Sequence, residues 1–235
     1  MKKISLLTIV AMVTAGIAFS SCDSKKSVSL KSDIDSVSYI IGASYGQGMR
    51  ENIKTFPTPG NVNALISGFT NAANGDSIYL GMDMQAAQLF VQTYFQNLQT
   101  RIADETKAEG EKFLEENKGK SGVITTESGL QYKVITEGTG QKPSLEDTVK
   151  VHYVGKLLDG TQFDSSVERG EPATFPLTGV IPGWSQGVQL MPVGSKYIMW
   201  IPADLAYGMQ PPTQLIKPNS TLEFEVELLE VMKAK

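Results

Sequence analysis

Apolar positions near the start of the chain recur every three or four residues, the spacing that places them on one face of an α-helix. This face comprises Val37, Ile40, Ile41, Ser44, Tyr45 and Met49. Ser32 and Asp35 offer capping oxygens ahead of it. A second helix is predicted from Val62 to Ala73, ended by Asn74-Gly75, a pair that tolerates left-handed backbone.

A third helix begins at Asp83, a good N-cap, and nothing stops it before about Gly119. At 1.5 Å per residue it would reach about 50 Å, too long for a small globular domain. Its second half, residues 104–118, is mostly charged, which predicts a solvated stalk between two domains. The alternative is a core helix with a frayed end, weakest at Gly110.

The first half of this long helix carries an apolar stripe that must be buried against another surface. The stripe comprises Ala87, Val91, Phe95, Leu98 and Ile102. Two short helices and one extended helix offer this stripe few partners within a single chain. We therefore predict a symmetric homodimer through residues 32–103.

After about residue 120 the pattern changes to short alternating strands separated by Gly and Pro turns. Strands are predicted at Gln131–Thr136, Thr148–Gly155 and Leu222–Val231, the last alternating apolar residues with glutamates. A short helix is predicted from Pro182 to Leu190. One small helix against a twisted antiparallel sheet gives an α+β domain.

The N-terminus has the pattern of an export signal. Lys2 and Lys3 precede an apolar run, Ile4–Phe19, that is shorter than the ~20 residues of a membrane-spanning helix. The segment Phe19-Ser20-Ser21-Cys22 resembles a lipobox, at which bacterial lipoproteins are cleaved and acylated. We therefore predict lipidation of Cys22, the single cysteine; the alternative is a free cysteine in a soluble secreted protein.

These patterns divide the chain into four segments, and the predicted mature chain of 214 residues (235 minus 21) is long enough for two domains. The segments are a signal peptide (1–21), a Ser- and Lys-rich tether (22–31), a helical domain with its long helix from about 83 (32–119) and the α+β domain (120–235). The net charge of -4 and the lack of a basic stripe argue against nucleic acid as a partner. One histidine and no cysteine besides Cys22 argue against a metal site, and no cofactor is predicted.

The stretch from about 123 to 232 resembles an FKBP domain. Six segments in matching order carry the resemblance: Ser128–Tyr132, Val151–Gly155, Asp159–Ser166, Val180–Gly194, Ile201–Gly208 and Leu222–Leu229. The resemblance implies the FKBP fold, a twisted antiparallel sheet wrapped on a short helix. It also implies peptidyl-prolyl cis-trans isomerase activity, which breaks no bond and requires no metal or nucleophile.

The helical half is similar to the dimerisation domain that precedes the FKBP domain in Mip and FkpA-like proteins of Gram-negative envelopes. Tyr39–Gly42 and Gly68-Phe69 carry this likeness. It implies a V-shaped homodimer with long connecting helices. It further implies a lipid anchor in the outer membrane, facing the periplasm, and proline-containing unfolded or exported polypeptides as substrates.

Rotation about an X-Pro bond has a barrier of ~20 kcal/mol, and an apolar, dry pocket favours the twisted amide over the charge-separated planar one. By the resemblance, Asp164, the Tyr207 hydroxyl and the Ile181 backbone N–H are the catalytic groups. Trp184 is the floor beneath the proline ring. The substrate-binding residues are Tyr153, Phe163, Arg169, Phe175, Val180, Trp184, Ile216 and Phe224.

Two departures from the family pattern concern the pocket rim, where Ala173 replaces an aromatic residue of many relatives and no glycine follows Gly208 in the flap. His152 alternates away from Tyr153, which predicts a hydrogen-bonded strand residue. Two other functions stay open beside an isomerase for exported proteins. One is a holding chaperone that binds unfolded chains in the cleft of the dimer, and the other is a host-contact envelope lipoprotein with secondary isomerase activity.

Overall fold

The computed structural model describes residues 29–56, 58–76 and 79–234. The predicted signal peptide and Cys22 lie outside the described residues. No helix within the described ranges combines the length and the apolar character needed to cross a bilayer. The chain divides into two compact units, and the division falls between Gly60 and Asn61.

The first unit is built on helix α1, Asp33–Lys54. Ser32 is its N-cap, and the predicted capping box is present: the N–H of Asp35 donates to Ser32 Oγ (3.3 Å), and the N–H of Ser32 donates to the Asp35 carboxylate (2.9 Å). No residue of α1 is buried. Its apolar face is therefore open, with Tyr45 66% exposed.

The second unit begins with helix α2, Val62–Asn74, which ends as predicted at a left-handed Gly75 (φ 79°). Helix α3, Met84–Asn117, follows and runs for 34 residues without a break. The carboxylate of Asp83 caps α3 by accepting the N–H of Ala86 at 2.7 Å. The predicted order of three helices, the last of them long, is confirmed.

The charged half of α3 is not solvated on all sides, so the prediction of a solvated stalk is wrong for one face. Ala103, Gly110 and Asn117 are buried on α3. Their seven-residue spacing is nearly two full turns, which places them on one face. Charge dominates the composition and conceals a narrow stripe of small and amide side chains that lets another surface approach the backbone.

Seven strands in the described residues form one sheet, in the order β1-β2-β6-β7-β3-β4, with β5 also pairing β3. Every pairing is antiparallel. The strands are β1 (Val123–Thr125), β2 (Gln131–Thr136), β3 (Thr148–Leu157), β4 (Gln162–Ser165), β5 (Ala173–Pro176), β6 (Lys196–Ile201) and β7 (Leu222–Met232). The three strands predicted from alternation are β2, β3 and β7, the last two slightly longer than predicted.

The core lies between one face of the sheet and helix α4, Pro182–Gln189. Trp184 and Val188, predicted to share a face of this helix, are both buried. On β7 the buried residues alternate with half-exposed glutamates, as the sequence predicts. Two short 3-10 helices, Leu177–Gly179 and Ala203–Leu205, carry the chain around the ends of the sheet. These elements make the α+β fold.

Candidate active site

A cleft of about 260 Å³ opens over α4 and one end of the sheet. Aromatic and aliphatic side chains from several elements form its walls, so the site exists only in the folded domain. The lining residues are Tyr153, Phe163, Asp164, Phe175, Gly179, Val180, Ile181, Trp184, Tyr207 and Phe224. A concave, mostly apolar site with few polar groups is typical of small-ligand and peptide pockets.

Trp184 stands in the first turn of α4 and is only 4% exposed. Three aromatic rings meet it edge to face, with centroid distances of 5.3 Å to Tyr153, 5.8 Å to Phe175 and 5.3 Å to Phe224. Such T-shaped contacts are the favoured geometry of aromatic pairs. The indole is thereby fixed among three rings that also line the cleft.

Gly155 on β3 leaves room for two aromatic rings of the cleft wall, those of Phe163 and Phe224, to meet. A Cβ at this position would lie 2.7 Å from Phe163 Cζ and 2.8 Å from Phe224 Cε1. The two rings themselves meet edge to face at 5.5 Å. Any larger residue at position 155 would therefore push the wall of the cleft apart.

A polar network of Tyr153, Asp164 and Arg169 borders the apolar cleft. The Tyr153 hydroxyl donates to one oxygen of the Asp164 carboxylate, and the Arg169 guanidinium donates to the other. Arg169 Nη2 also donates to the Tyr153 hydroxyl at 2.9 Å, and its guanidinium carbon lies 5.5 Å from the Tyr153 ring centroid. The three side chains thus form a closed ring of hydrogen bonds that fixes the direction of the carboxylate.

The network keeps Asp164 ionised. Partial burial opposes ionisation, but the hydrogen bonds from Tyr153 and Arg169 and the charge of Arg169 outweigh it and lower the carboxyl pKa. Burial, followed by the bond to Asp164, raises the pKa of Tyr153. The bonds to Tyr153 and Asp164 raise the pKa of Arg169. At neutral pH the group is therefore a carboxylate, a phenol and a guanidinium.

Two hydrogen-bond donors in the cleft have no acceptor in the described part of the chain. The N–H of Ile181, at the N-cap of α4, is one of them, although the carbonyl of the same residue accepts from Trp184 and Ser185. The hydroxyl of Tyr207 is the other. Burial, and then the negative charge of Asp164, raises the pKa of Tyr207, so its hydroxyl stays protonated at neutral pH.

The structure brings most of the predicted site residues together in this cleft. Arg169 does not line it and instead reaches it through Asp164 and Tyr153. Ile216 is 3% exposed and belongs to the buried core cluster, as Trp184 and Phe224 also do, and it is not among the residues that line the cleft, so its place on the wall stays a prediction. Gly179 lines the cleft and was missed; its position one residue ahead of Val180-Ile181 was the available signal.

His152 lies outside the cleft, as its alternation with Tyr153 predicts. Its Nδ1 is 3.1 Å from the hydroxyl of Ser166, a fully buried residue. The Ser166 oxygen also accepts the N–H of Tyr153 at 2.8 Å. The histidine is thus a hydrogen-bonded strand residue behind the site.

Comparisons with known proteins agree with this geometry. The family described as "FKBP-type peptidyl-prolyl cis-trans isomerase" matches residues 139–229, and the "Domain amino terminal to FKBP-type peptidyl-prolyl isomerase" matches residues 34–134. The FKBP-type 22 kDa peptidyl-prolyl cis-trans isomerase of Escherichia coli is 46% identical over 196 residues, which cover 83% of this chain and 94% of that protein. The outer membrane protein MIP of Legionella longbeachae is 42% identical over 211 residues, covering 88% and 89%.

A comparison with solved structures also finds a similar protein. The crystal structure of FkpA from Escherichia coli superposes with a TM-score of 0.72 at 36% identity, covering 88% of this chain and all of that one. The matches span both the helical and the α+β parts of the chain. This chain therefore belongs to the FKBP-type peptidyl-prolyl cis-trans isomerases.

Proposed function

We propose that the aromatic cleft accelerates rotation about Xaa-Pro bonds, with the proline ring seated on Trp184. The observation that carries this proposal is the pair of unpaired donors, Ile181 N–H and Tyr207 hydroxyl, beside an aromatic floor. A donor that a bound ligand covers needs an acceptor, so donors left open in a cleft suit a ligand's carbonyl oxygens. Peptide carbonyls on either side of a proline have this chemistry.

In this proposal the apolar wall carries out most of the catalysis. A planar amide is stabilised by charge-separated resonance, which rotation about the C–N bond removes. A dry site of aromatic rings solvates charge separation less well than water does, so it favours the twisted amide relative to the planar one. Tyr153, Phe163, Phe175, Val180 and Phe224 form this wall.

The polar groups position the substrate rather than exchange protons with it. Ile181 N–H and the Tyr207 hydroxyl hold carbonyl oxygens of the peptide, so that only the prolyl bond turns. Asp164 directs its negative charge at the rim, and Arg169 with Tyr153 keeps that carboxylate in place. None of these groups acts as a nucleophile or general base.

A protease-coupled assay on short Xaa-Pro peptides tests the proposal. We expect the parent to accelerate isomerisation, and the double variant Asp164→Leu/Tyr207→Ala to lose about tenfold or more in kcat/KM. Asp204→Asn is the matched control, since Asp204 is exposed three residues before Tyr207. Equal rates in the double variant and the parent would contradict the role of the cleft.

We further propose that the helical segment 32–119 forms a homodimer that carries the isomerase domain, 120–235. The support is a set of exposed apolar side chains on α1, α2 and the start of α3 that nothing in the described chain covers. They include Ile34, Tyr39, Ile40, Ile41, Tyr45, Val62, Ile66, Phe69, Leu89 and Phe90. Apolar surface of this extent marks an interface in soluble proteins.

A lipid at Cys22 would hold this dimer in the cell envelope, facing the periplasm from the outer membrane, where exported polypeptides are its clients. The name of the Legionella relative, an outer membrane protein, supports this location. Metabolic labelling with a radioactive fatty acid tests the anchor. We expect label on the parent and none on Cys22→Ser; equal labelling of both would contradict lipidation.

In a copy of the chain that is not paired, the same apolar face of α1 favours a second function, binding of unfolded chains without catalysis. Suppression of aggregation of a client that lacks proline distinguishes the two. Protection that persists in Asp164→Leu/Tyr207→Ala would establish holding activity beside isomerisation. If the parent does not suppress aggregation of this client, the holding function is contradicted and isomerisation remains as the proposed function.

A further inference from the structure

The buried face of α3 is joined to the isomerase fold at three places. At its C-terminal end, Asn117 Nδ2 donates to Gln131 Oε1 at 2.9 Å, and Gln131 Nε2 donates to the carbonyl of Leu114 at 2.8 Å. Both amide side chains are almost fully buried, 1% and 2% exposed. A buried, hydrogen-bonded pair of amides fixes the helix in one register on strand β2.

The second place is Gly110. A Cβ built on this residue would collide with the Thr221 hydroxyl and lie 3.1 Å from Thr221 Cβ. Thr221 is itself 5% exposed and directly precedes β7. The helix backbone therefore rests against the segment that leads from the pocket flap into the last strand.

The third place is Asn219, two residues before Thr221. Its side-chain amide donates to the carbonyl of Ala103 on α3 at 3.4 Å. Its backbone N–H donates to the carbonyl of Gly208 at 2.7 Å. Asn219 has a left-handed φ of 59°, which lets its side chain bond to α3 while its backbone N–H bonds to Gly208. Asparagine is one of the few residues that tolerate this conformation.

Gly208 directly follows Tyr207, whose hydroxyl is an open donor of the cleft. Its own N–H donates to the carbonyl of Ala203, and its φ is 52°. The backbone of Gly208 is thus held between Ala203 and Asn219. Asn219 links Gly208 to the backbone of the long helix.

We propose that Asn219 is a positioning residue for the isomerase site, holding the loop that carries Tyr207 against helix α3. This inference rests on the role of Tyr207 proposed above. The helix thereby becomes part of the catalytic scaffold in addition to connecting two segments. When the side-chain amide of Asn219 is removed, the Tyr207 hydroxyl is no longer held in place against the substrate carbonyl. The rate of isomerisation then falls, although the pocket residues are unchanged.

Two substitutions isolate this amide. Asn219→Gly keeps the left-handed backbone at no steric cost and removes only the side-chain donor. Asn219→Asp keeps the size and the tolerance for positive φ but turns the donor into an acceptor facing the Ala103 carbonyl. Both leave the backbone N–H to Gly208 in place. We expect each to lower kcat/KM by about threefold to tenfold, the effect of one lost hydrogen bond.

The deciding measurement is a double-mutant cycle with Tyr207→Phe in the full chain, by isomerase assay on short peptides, with folding checked by circular dichroism. If Asn219 acts through Tyr207, Asn219→Gly lowers the rate in the parent and leaves it unchanged in Tyr207→Phe. An equal fall in both backgrounds, or no fall in the folded parent, overturns the inference.

The cycle also separates this inference from the proposed function. Full activity in Tyr207→Phe alone contradicts the proposed role of Tyr207, and the inference falls with it. Reduced activity in Tyr207→Phe combined with parental activity in both Asn219 variants contradicts only the inference. If Asn219→Gly does not fold, Asn219→Asp carries the same cycle with the same outcomes.

Discussion

The hydroxyl of Tyr153 donates to the carboxylate of Asp164 across the edge of the cleft, and Arg169 donates to both side chains. Tyr153 lies on β3 and Asp164 on β4, two paired strands, so the sheet itself sets their separation. Arg169 lies in the turn that follows β4. A substitution at any of the three therefore changes the environment of the carboxylate that borders the proposed substrate site.

Removal of Arg169 should move the acid limit of activity upward. The bonds from Tyr153 and Arg169 lower the pKa of Asp164, so the carboxylate persists below the ordinary value of about 3.9. In Arg169→Leu one of these bonds is lost, and activity should begin to fall at a higher pH than in the parent. The measurement is kcat/KM from about pH 3 to 7. If kcat/KM falls at the same acid pH in Arg169→Leu and in the parent, Asp164 does not support catalysis as a carboxylate.

Asp147 should hold the C-terminal tail on the isomerase domain. Its buried carboxylate accepts from Lys233 Nζ at 2.7 Å, from the N–H of Ala234 at 3.1 Å and from the N–H of Ser144 at 2.7 Å. The bond from Lys233 is the largest cause of its lowered pKa. A lowered pKa in the folded state stabilises the protein above about pH 3.9, and this stability is lost as the pH falls through the folded-state pKa.

We therefore expect Asp147→Asn to unfold at a lower urea concentration than the parent at pH 7, with the difference shrinking towards pH 2. Glu146→Gln is the matched control, because Glu146 is the exposed neighbour of Asp147. A difference that does not change with pH would contradict the assignment to this carboxylate.

Gly110→Ala should destabilise the protein, although alanine is the better helix former by about 0.5–1 kcal/mol. The added methyl group meets Thr221, and overpacking of this kind costs about 1–3 kcal/mol. Thr221→Ala should relieve part of the collision, so the double variant should be more stable than the sum of the single effects predicts. The free energy of unfolding of the parent, the two single variants and the double variant is measured in urea. A stabilising Gly110→Ala would show that α3 does not rest on this segment.

A charge on the open face of α1 should dissociate the proposed dimer. Tyr45→Glu places a carboxylate among exposed apolar side chains, whereas Gln47→Glu places one about 200° away around the same helix. Sedimentation should give a monomer for Tyr45→Glu and a dimer for the parent and Gln47→Glu. Kinetics on short peptides should be the same for all three, since the cleft is untouched. A dimeric Tyr45→Glu would place the interface elsewhere.

Alternation and capping predicted the elements that have one apolar face. Helix α1 has its capping box at Ser32, and β7 has its apolar residues on one side. Strand β6 was not predicted, and its burial explains why. Tyr197, Met199 and Ile201 face the core, while Trp200 is 8% exposed on the other face, where its register partner Gln131 bonds to α3. A strand covered on both faces loses its alternation.

The contact between α3 and the isomerase domain was not predicted, for a related reason. Ala103 and Gly110 are small and Asn117 is polar, so these three residues form no pronounced apolar stripe, and the charges around them suggest full solvation. The aromatic cleft was predicted through family resemblance rather than from periodicity. Alternation cannot distinguish Phe224, which lines the cleft, from Val226, which fills the core two residues later.

Exchange NMR on a short Xaa-Pro peptide at equilibrium measures the proposed reaction without a coupling protease. Cis and trans signals of the free peptide interconvert over tens to hundreds of seconds. We predict that catalytic amounts of the parent produce exchange between the two signals on the time scale of seconds or faster, and that Trp184→Leu, folded by circular dichroism, slows it about tenfold or more. Unchanged exchange in the presence of the parent, or equal exchange with Trp184→Leu, would contradict catalysis in this cleft.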